Sequence, residues 1–444
     1  MKTIRLPGSK SITNRDFVLA ALTSGQTVLE GILISDDTKH MMNALNDIGI
    51  KVEQSGIKAI IDGGVEKFKG EDKELYIGQS GTCMRFLTAM IILNKVGSIT
   101  LTGEERLLQR PMGDLFDSLK QIGVNLETNG NFPPVKVTPS ELKTNKVKMN
   151  GTSSSQFFTA LLQIAPVLEN GLEIEVIGEL VSKPYIDLTI NELRKFGCIV
   201  ENDNYKYFKV LPQRYKPVNL LVEGDASALS YIVCFIALHG GEIKIENIGS
   251  NSKQGDYRFL DEMKIFGVEY ESDGESTIVR GVGITSPLIS LLQGKGNRVD
   301  LSRYRDYSVD FESMPDVSMS FMIMSIFLPG KTHITGLQTL NLKECLRIDA
   351  MRDELRKIGV EVDGDEKSII IGELDISKYR HSCEGRNLGN GQNPIQIETY
   401  NDHRIAMCFG VLNTIIGGLN ILNPGCVAKT YPNFWEDLEK LKRI

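Results

Sequence analysis

The chain has 444 residues and a formal net charge of −7, from 50 Lys and Arg against 57 Asp and Glu. This length predicts two or three domains, and an acidic chain without a basic tail argues against a dedicated nucleic-acid-binding protein. The start lacks the apolar core of a signal peptide, and the most apolar stretch, residues 317–328, is too short to span a bilayer. Seven scattered cysteines without a CxxC pair and five dispersed histidines disfavour disulfides and a metal site. We therefore expect a soluble, cytoplasmic protein with no metal, membrane or nucleic-acid partner.

An amphipathic helix, a glycine and a strand-like run recur along the chain. The glycine stands where a helix C-cap favours a left-handed residue, and the run after it alternates apolar and polar residues. Successive glycines are 74, 74, 70 and 92 residues apart, and a further helix at 433–444 ends the chain. This spacing predicts six copies of one α/β unit, although a repeat scaffold without chemistry stays open at this point. The glycines are Gly49, Gly123, Gly197, Gly267 and Gly359.

Two stretches interrupt the repeat and predict insertions. The long fourth interval accommodates extra sequence near residues 281–311. Residues 381–394 are polar and rich in Gly and Asn, which is typical of a surface loop.

The first loop with a chemical pattern lies at residues 6–15, a Gly/Ser turn that leads into an apolar helix. Lys10 lies in the turn, and Ser11 and Arg15 are four residues apart, so they share a helix face. Backbone amides at a helix start combined with Lys and Arg make an anion site, although a solvated N-cap would have the same sequence.

Similar loops precede later helices. Residues 78–85 end in Arg85, one turn into a helix, and residues 151–156 place three hydroxyls and an amide before another. Cationic or hydroxyl residues recur at equivalent points of the other units. If the units close into two lobes, these loops would face one strongly cationic cleft that concentrates small anions. The other loops are 109–111, 181–187, 341–347, 399–407 and 425–431.

Ten short motifs together resemble the 5-enolpyruvylshikimate-3-phosphate synthase (3-phosphoshikimate 1-carboxyvinyltransferase) family. They occur in the family's order and extend over nearly the whole chain. They are LPGSKSITNR (6–15), GQSGTCMR (78–85), QRP (109–111), SSSQF (153–157), LVSKPYID (180–187), LVEGDAS (221–227), MPD (314–316), LKECLR (342–347), TYNDHRIAM (399–407) and CVAKTYP (426–432).

The resemblance implies a two-lobed inside-out α/β barrel, made of six copies of a βαβαββ-type unit with three per lobe. The first lobe would comprise residues 9–222, and the second residues 1–8 plus 223–444, with the active-site cleft between the lobes. Such lobes close on their substrates.

The implied reaction transfers the enolpyruvyl group of phosphoenolpyruvate to the 5-hydroxyl of shikimate 3-phosphate and releases phosphate, in the shikimate pathway of aromatic amino-acid biosynthesis. It proceeds by addition and elimination through a tetrahedral intermediate, and it implies no cofactor and no metal. Cations would offset the repulsion between the two anionic substrates, and carboxylates and lysines would move the protons. The protein is expected to be a monomer.

The same resemblance assigns residues to the substrates. Asp316 would be the base on the 5-hydroxyl; a helix N-cap is the alternative, and it could serve as both. Glu344, with Lys10 or Lys429, would deliver and remove the proton at the enolpyruvyl carbon. Shikimate 3-phosphate would be bound by Lys10, Ser11, Arg15, Ser154, Ser155, Gln156, Ser182, Tyr185, Asp316, Thr339 and Lys343. Phosphoenolpyruvate would be bound by Lys10, Gln79, Gly81, Thr82, Arg110, Gln156, Arg347, Arg404 and Lys429.

Six positions depart from the family's common pattern. Gln109 replaces an acid before the Arg-Pro motif. Gln79 stands where Asn is usual, and Phe86 where Pro often follows the Arg. Thr339 stands where an Asn binds substrate, while Asn341 and Leu346 occupy places often held by Arg and Asp. The loss of the acid at Leu346 removes a possible partner for a neighbouring Lys or Arg.

The alternatives are a UDP-N-acetylglucosamine enolpyruvyl transferase and a non-catalytic anion-binding repeat scaffold. The first typically carries a reactive Cys before its Arg-Pro motif, and residues 101–111 contain none. The second does not require Asp316 and Glu344 beside the cations.

Overall fold

The computed structural model describes residues 1–69, 71–152, 154–284, 301–379 and 393–442. Most of the predicted loop at 381–394 and the middle of the predicted insertion at 281–311 lie outside these residues. The chain divides into two compact units. We call residues 8–223 the N-terminal unit, and residues 1–7 with 224–444 the C-terminal unit.

The N-terminal unit contains three four-stranded sheets with one shared strand order. In each sheet the first strand is parallel to the second, the second is antiparallel to the third, and the third is antiparallel to the fourth. In this order the sheets are Asn219–Leu221, Gly25–Glu30, Lys58–Gly63 and Lys51–Ser55; Lys73–Tyr76, Ile99–Thr102, Phe132–Thr138 and Asn125–Asn129; and Lys146–Asn150, Leu172–Ile177, Tyr207–Val210 and Glu201–Asp203.

Helices connect these strands in two roles. An inner helix precedes the second strand of each sheet, and an outer helix leads from the second strand to the antiparallel pair. The second and third copies therefore read βαβαββ along the chain, whereas the first strand of the first copy, Asn219–Leu221, comes from the end of the unit. The inner helices are almost wholly buried and pack against one another. They are Lys10–Leu22, Gly81–Met90 and Ser155–Ile164, the outer helices are Asp36–Asp47, Gly113–Gln121 and Lys183–Lys195, and a short helix spans Glu105–Leu108.

The C-terminal unit repeats this plan with a shorter last copy. Two sheets have the same strand order, and the third is a parallel pair, after which the chain continues into its last described helix. The strands are Lys2–Ile4, Gly241–Ile245, Thr277–Gly281 and Glu269–Ser272; Ser308–Asp310, Lys331–Thr335, Ile369–Gly372 and Val362–Gly364; and Ile395–Ile397 and Leu419–Ile421.

The helices of the C-terminal unit follow the same division. Its three inner helices also pack against one another, and they are apolar on nearly all sides because each is enclosed by its neighbours and the sheets. The inner helices are Ala226–His239, Ser318–Ser325 and His403–Ile416, and the outer ones are Phe259–Glu262, Arg347–Lys357 and Phe434–Leu441. No helix among the described residues is long and apolar enough to cross a bilayer.

The five repeat glycines are confirmed as left-handed residues after their helices. Their φ angles lie between 73° and 100°, a region that residues with a Cβ rarely adopt. The same turn therefore redirects the chain from helix to strand in five copies, as the sequence predicted. The sixth predicted copy ends in the helix Phe434–Leu441.

Candidate active site

In the N-terminal unit, the loops predicted to bind anions begin the three inner helices. The side chains of Ser9, Ser80 and Ser154 each accept a hydrogen bond of 3.3 to 3.4 Å from an amide two or three residues further on. These serines are N-caps, and the first-turn amides and the helix dipole favour a negative charge at such a position.

Arg15 connects two of the predicted substrate-binding segments. Its Nε donates to Thr189 Oγ1 at 2.9 Å, its Nη1 donates to the Ser11 carbonyl at 2.8 Å, and its Nη2 donates to the Tyr185 carbonyl at 3.3 Å. Burial lowers the pKa of Arg15 to about 10. The structure thus brings together Ser11, Arg15 and Tyr185. All three guanidinium nitrogens of Arg15 donate hydrogen bonds within the unit, two of them to the carbonyls of Ser11 and Tyr185.

Two aromatic rings lie under arginines of this unit. The Arg15 Cζ lies 5.5 Å from the ring centroid of Phe86, and the Arg85 Cζ lies 5.6 Å from that of Phe157. A guanidinium at this distance is attracted by the ring quadrupole. Phe86, one of the departures from the family pattern, is therefore a contact of Arg15.

Gly81 lies against two guanidinium groups. A Cβ built on Gly81 would be 2.4 Å from Nη1 of both Arg85 and Arg110, and both arginines are buried. A side chain here would displace a cation, which explains the glycine. The sequence assigned Arg110 to a ligand and Arg85 to none, although Arg85 ends the GQSGTCMR motif.

Lys10 is the first residue of the inner helix Lys10–Leu22, and Ser182 precedes the outer helix Lys183–Lys195 of the same unit. The Lys10 Nζ is 3.8 Å from Asp37 Oδ2. Ser182 has a left-handed φ of 54°, and its hydroxyl does not cap the helix Lys183–Lys195 that follows. Such backbone strain at a non-glycine residue costs about 1–3 kcal/mol and is frequent at functional sites.

Two glutamines at helix starts behave differently. The Gln156 Oε1 is buried and has no hydrogen-bond partner among the described residues, as expected of an amide that awaits a ligand. The Gln79 Nε2 donates to Glu104 Oε2 at 2.5 Å. Ser155 is buried and Thr82 half-buried beside them along the chain.

In the C-terminal unit, Arg347 is the centre of a charge cluster and is 1% exposed. Its Nε donates to Asp402 Oδ2 at 2.8 Å and its Nη2 to Asp402 Oδ1 at 3.3 Å. The same Nη2 donates to Glu344 Oε2 at 2.9 Å, and Nη1 donates to Asp316 Oδ1 at 3.1 Å. One guanidinium therefore holds three carboxylates, including both predicted acid–base residues.

Asp316 is surrounded by cations. Lys343 Nζ is 3.4 Å from Oδ1, and Arg404 Nη2 donates to Oδ2 at 3.2 Å. Burial opposes ionisation, but the charges of Lys343, Arg404 and Arg347 outweigh it and hold the pKa of Asp316 well below the usual carboxyl range. The alternative prediction of a helix N-cap is wrong: Asp316 lies inside the turn Pro315–Val317, and no side chain caps the helix that follows.

Glu344 joins Arg347 to a lysine from the end of the chain. Lys429 is the last residue of the turn Pro424–Lys429, and its Nζ lies 3.0 Å from Glu344 Oε1. The lysine and the carboxylate predicted to act at one carbon are thus in direct contact in the structure.

Residues missed by the sequence analysis hold this cluster in place. Asp402 caps the helix His403–Ile416 by accepting a hydrogen bond of 2.9 Å from the Arg404 amide. Its carboxylate also accepts from Nε and Nη2 of Arg347. Asp256 accepts from the Ser227 hydroxyl, which also lies 3.3 Å from Arg404 Nη2. Burial, together with the charge of Asp316, raises the pKa of Asp256 to about 7. Asp402 was visible within the TYNDHRIAM motif, whereas no local pattern marked Asp256.

Two of the departures from the family pattern also lie in this segment. Thr339 Oγ1 is buried and has no hydrogen-bond partner in the described part of the chain. The Leu346 side chain is 52% exposed, and Asp402 rather than residue 346 partners Arg347.

The charges of the C-terminal cluster nearly balance. Four cations, Lys343, Arg347, Arg404 and Lys429, contact three carboxylates, Asp316, Glu344 and Asp402. Within this unit, three carboxylates therefore offset most of the charge of the four cations. No group of His, Cys, Asp and Glu side chains among the described residues could hold a metal ion.

Solved structures share the fold of this chain. An EPSP synthase from Acinetobacter baumannii matches with a TM-score of 0.73 over 99% of this chain and 95% of its own, at 24% identity. The enolpyruvyl transferase NikO from Streptomyces tendae matches with a TM-score of 0.72 over 100% of this chain and 95% of its own, at 15% identity. The fold is that of the enolpyruvyl transferases, and the predicted two-lobed inside-out α/β class is confirmed.

Sequence comparison gives the family. The family model for EPSP synthase (3-phosphoshikimate 1-carboxyvinyltransferase) matches residues 1–438. The 3-phosphoshikimate 1-carboxyvinyltransferase of Vibrio vulnificus is 38% identical, over 99% of this chain and 96% of its own length. That of Haemophilus influenzae is 40% identical, with the same coverage. The chain therefore belongs to the EPSP synthase family, as its ten motifs predicted.

Proposed function

We propose that the chain carries out the reaction of its family, 3-phosphoshikimate 1-carboxyvinyl transfer, with Asp316 and Glu344 as the acid–base residues. The observation that supports these roles is the shared contact with Arg347, which holds one oxygen of each carboxylate at 3.1 and 2.9 Å. Family membership favours this activity over both the sugar-nucleotide transferase and the non-catalytic scaffold.

The addition step needs one proton removed and one delivered. Asp316 takes the proton of the 5-hydroxyl of shikimate 3-phosphate as its oxygen bonds to C2 of phosphoenolpyruvate. Glu344, or the Lys429 in contact with it, gives a proton to C3, so that the double bond becomes a methyl group in the tetrahedral intermediate.

Elimination reverses the proton movement at C3. The C2–O bond to phosphate breaks, the electrons of a C3–H bond form the new double bond, and that proton returns to Glu344 or Lys429. The cations around the leaving phosphate stabilise the negative charge that it carries away.

Because Asp316 and Glu344 are paired with cations that also bind substrate, substrate binding changes the protonation of these two carboxylates. Within the cluster, neighbouring cations favour the ionised form of Asp316, which suits a base. When the phosphate and carboxylate of phosphoenolpyruvate approach Arg347 and Lys429, they compete with Glu344 for those two cations. A carboxylate that loses a cation and gains an anionic neighbour is protonated more readily, so that it has a proton to donate at neutral pH.

The remaining assignments extend the proposal to both units. We expect phosphoenolpyruvate to contact Gly81, Arg110, Arg347, Arg404 and Lys429, together with Lys10, Gln79, Thr82 and Gln156. We expect shikimate 3-phosphate to contact Lys10, Ser11, Arg15, Ser154, Ser155, Gln156, Ser182, Tyr185, Asp316, Thr339 and Lys343. The polar oxygens of Gln156 and Thr339 that lack partners among the described residues support these roles.

Phosphate release tests the proposal. The purified protein is given phosphoenolpyruvate with shikimate 3-phosphate, and in parallel with UDP-N-acetylglucosamine. We expect turnover only with shikimate 3-phosphate. Turnover only with the sugar nucleotide would move the chain to the rival activity, and binding of both expected substrates without phosphate release would support a scaffold.

A further inference from the structure

Glu354 is a fully buried carboxylate that no part of the proposed chemistry uses. It lies on the helix Arg347–Lys357 and is 0% exposed. Its Oε1 accepts from the Tyr400 hydroxyl at 2.9 Å, and its Oε2 accepts from the Glu398 amide at 3.1 Å and from Lys357 Nζ at 2.6 Å. Two of these three donors belong to a segment more than 40 residues further along the chain.

That segment, residues 398–402, has a strained backbone. Tyr400 and Asn401 are consecutive non-glycine residues with φ angles of 53° and 56°. A left-handed conformation costs an ordinary residue such as Tyr400 roughly 1–2 kcal/mol, whereas Asn adopts it more readily, so tertiary contacts are needed chiefly to hold Tyr400. The contacts of Glu354 with Tyr400 and Glu398 restrain this segment at one end.

Arg347 holds the other end of the same segment. It donates to Asp402 through Nε at 2.8 Å, and Asp402 in turn accepts from the Arg404 amide at 2.9 Å. Arg347 and Glu354 are seven residues apart, two helical turns, so they lie on one face of their helix. One helix face therefore holds both ends of the segment: the Arg347 cation binds the Asp402 carboxylate, and the Glu354 carboxylate accepts from Tyr400 and the Glu398 amide.

We propose that Glu354 is a positioning residue for the reaction: by holding residues 398–402 it sets the place of Asp402 and Arg404, and thereby the affinity for phosphoenolpyruvate. The effect on the affinity for phosphoenolpyruvate rests on the proposed function, in which Arg347 and Arg404 bind that substrate. The link to the segment itself rests only on the hydrogen bonds of Glu354.

Glu354→Gln tests the proposal, because it keeps the shape of the side chain and replaces one acceptor oxygen with a donor. With its N–H group toward the Glu398 amide, the amide side chain would face an existing donor. With its N–H group toward Tyr400, it would donate to the Tyr400 hydroxyl, but it would still lose the negative charge that strengthens the hydrogen bonds from Lys357 and the Glu398 amide. The matched control is Asp353→Asn, the same change of charge at the exposed neighbouring position of the helix. Tyr400→Phe is a milder second variant, which removes one hydrogen bond and leaves Glu354 its other two donors.

The measurements are KM for each substrate, kcat, and amide hydrogen exchange of a peptide covering residues 398–404. For Glu354→Gln we expect KM for phosphoenolpyruvate to rise about tenfold, KM for shikimate 3-phosphate to change less than twofold, and exchange to become faster. Tyr400→Phe should raise KM for phosphoenolpyruvate and speed exchange, but by less than Glu354→Gln does. Asp353→Asn should change neither KM for phosphoenolpyruvate nor exchange.

A merely structural role would lower thermal stability and leave both KM values of the folded enzyme unchanged, and that result would overturn the proposal. An equal rise in both KM values would do the same. If the unmodified protein does not turn over these substrates, the proposed function fails while the exchange measurement still tests the link between Glu354 and the segment. Unchanged exchange in Glu354→Gln would refute that link.

Discussion

The guanidinium of Arg347 forms a two-pronged contact with Asp402, through Nε at 2.8 Å and Nη2 at 3.3 Å, across 55 residues of sequence. The remaining contacts of Arg347 go to Asp316 and Glu344. The planar fork of arginine can satisfy all three carboxylates at once, whereas a lysine presents one compact charge.

Arg347→Lys tests whether this geometry, rather than the charge alone, supports the cluster. We expect kcat/KM for phosphoenolpyruvate to fall on the order of 10²-fold and the protein to lose about 3 kcal/mol of stability, because buried carboxylates are left poorly paired. Steady-state kinetics and thermal unfolding measure the two effects. The control is Arg352→Lys, on the same helix and in an ion pair with Asp349 at 2.9 Å, where we expect little change. Equal effects in both variants would contradict the role of the fork.

Phe86→Leu tests the aromatic contact of Arg15. The substitution keeps an apolar side chain in a fully buried position but removes the ring that lies 5.5 Å from the guanidinium carbon. We expect a loss of about 1–2 kcal/mol of stability and a several-fold rise in KM for shikimate 3-phosphate, since Arg15 orders that part of the site. Phe158→Leu is the control, because Phe158 is equally buried and packs against Phe208 instead. A similar rise in KM for the control would remove the specific role of Phe86.

Asp16→Asn tests a buried acid of the N-terminal unit. Asp16 is 1% exposed, its Oδ1 has no hydrogen-bond partner among the described residues, and Glu192 and Lys195 are its charged neighbours besides Arg15. Burial, reinforced by the charge of Glu192, raises the pKa of Asp16 well above its ordinary value of 3.8. The folded state therefore holds a proton that the unfolded state releases, so stability falls as pH rises above about 4 and through the folded-state pKa.

The expected outcome is a pH-dependent gain in stability for Asp16→Asn. At pH 8 the melting temperature should rise by about 2–4 °C, which corresponds to about 1 kcal/mol, and the gain should shrink toward pH 4. Thermal unfolding at several pH values measures it. Asp117→Asn, an exposed aspartate of the same unit, should show no such dependence. A gain that is constant across pH would show that ionisation of Asp16 is not the cause.

Local sequence predicted the fold well because the decisive signals are local. The glycine after each outer helix, the apolar spacing within the helices and the serines before the inner helices each act within about one turn. The grouping of Lys343, Glu344 and Arg347 was predictable for the same reason, since these residues are neighbours along the chain.

The rest of the site depends on contacts that no local pattern encodes. The pairing of Arg347 with Asp402 and the burial of Asp256 beside Arg404 and Asp316 arise only when separate repeats pack together. Asp316 was also open to interpretation as a helix N-cap, because a carboxylate before a helix commonly has that role. In the structure its carboxylate contacts three cations, and it lies inside the turn Pro315–Val317.

The assignment of Asp316 and Glu344 as the groups that move the protons is tested by kcat of Asp316→Asn and Glu344→Gln at saturating concentrations of both substrates. We expect kcat to fall on the order of 10²-fold or more in each variant, with the dissociation constants of both substrates changed little. Glu361→Gln, at an exposed carboxylate of the same unit, should retain the unmodified kcat. Near-normal kcat in Asp316→Asn and Glu344→Gln would contradict the assigned acid–base roles.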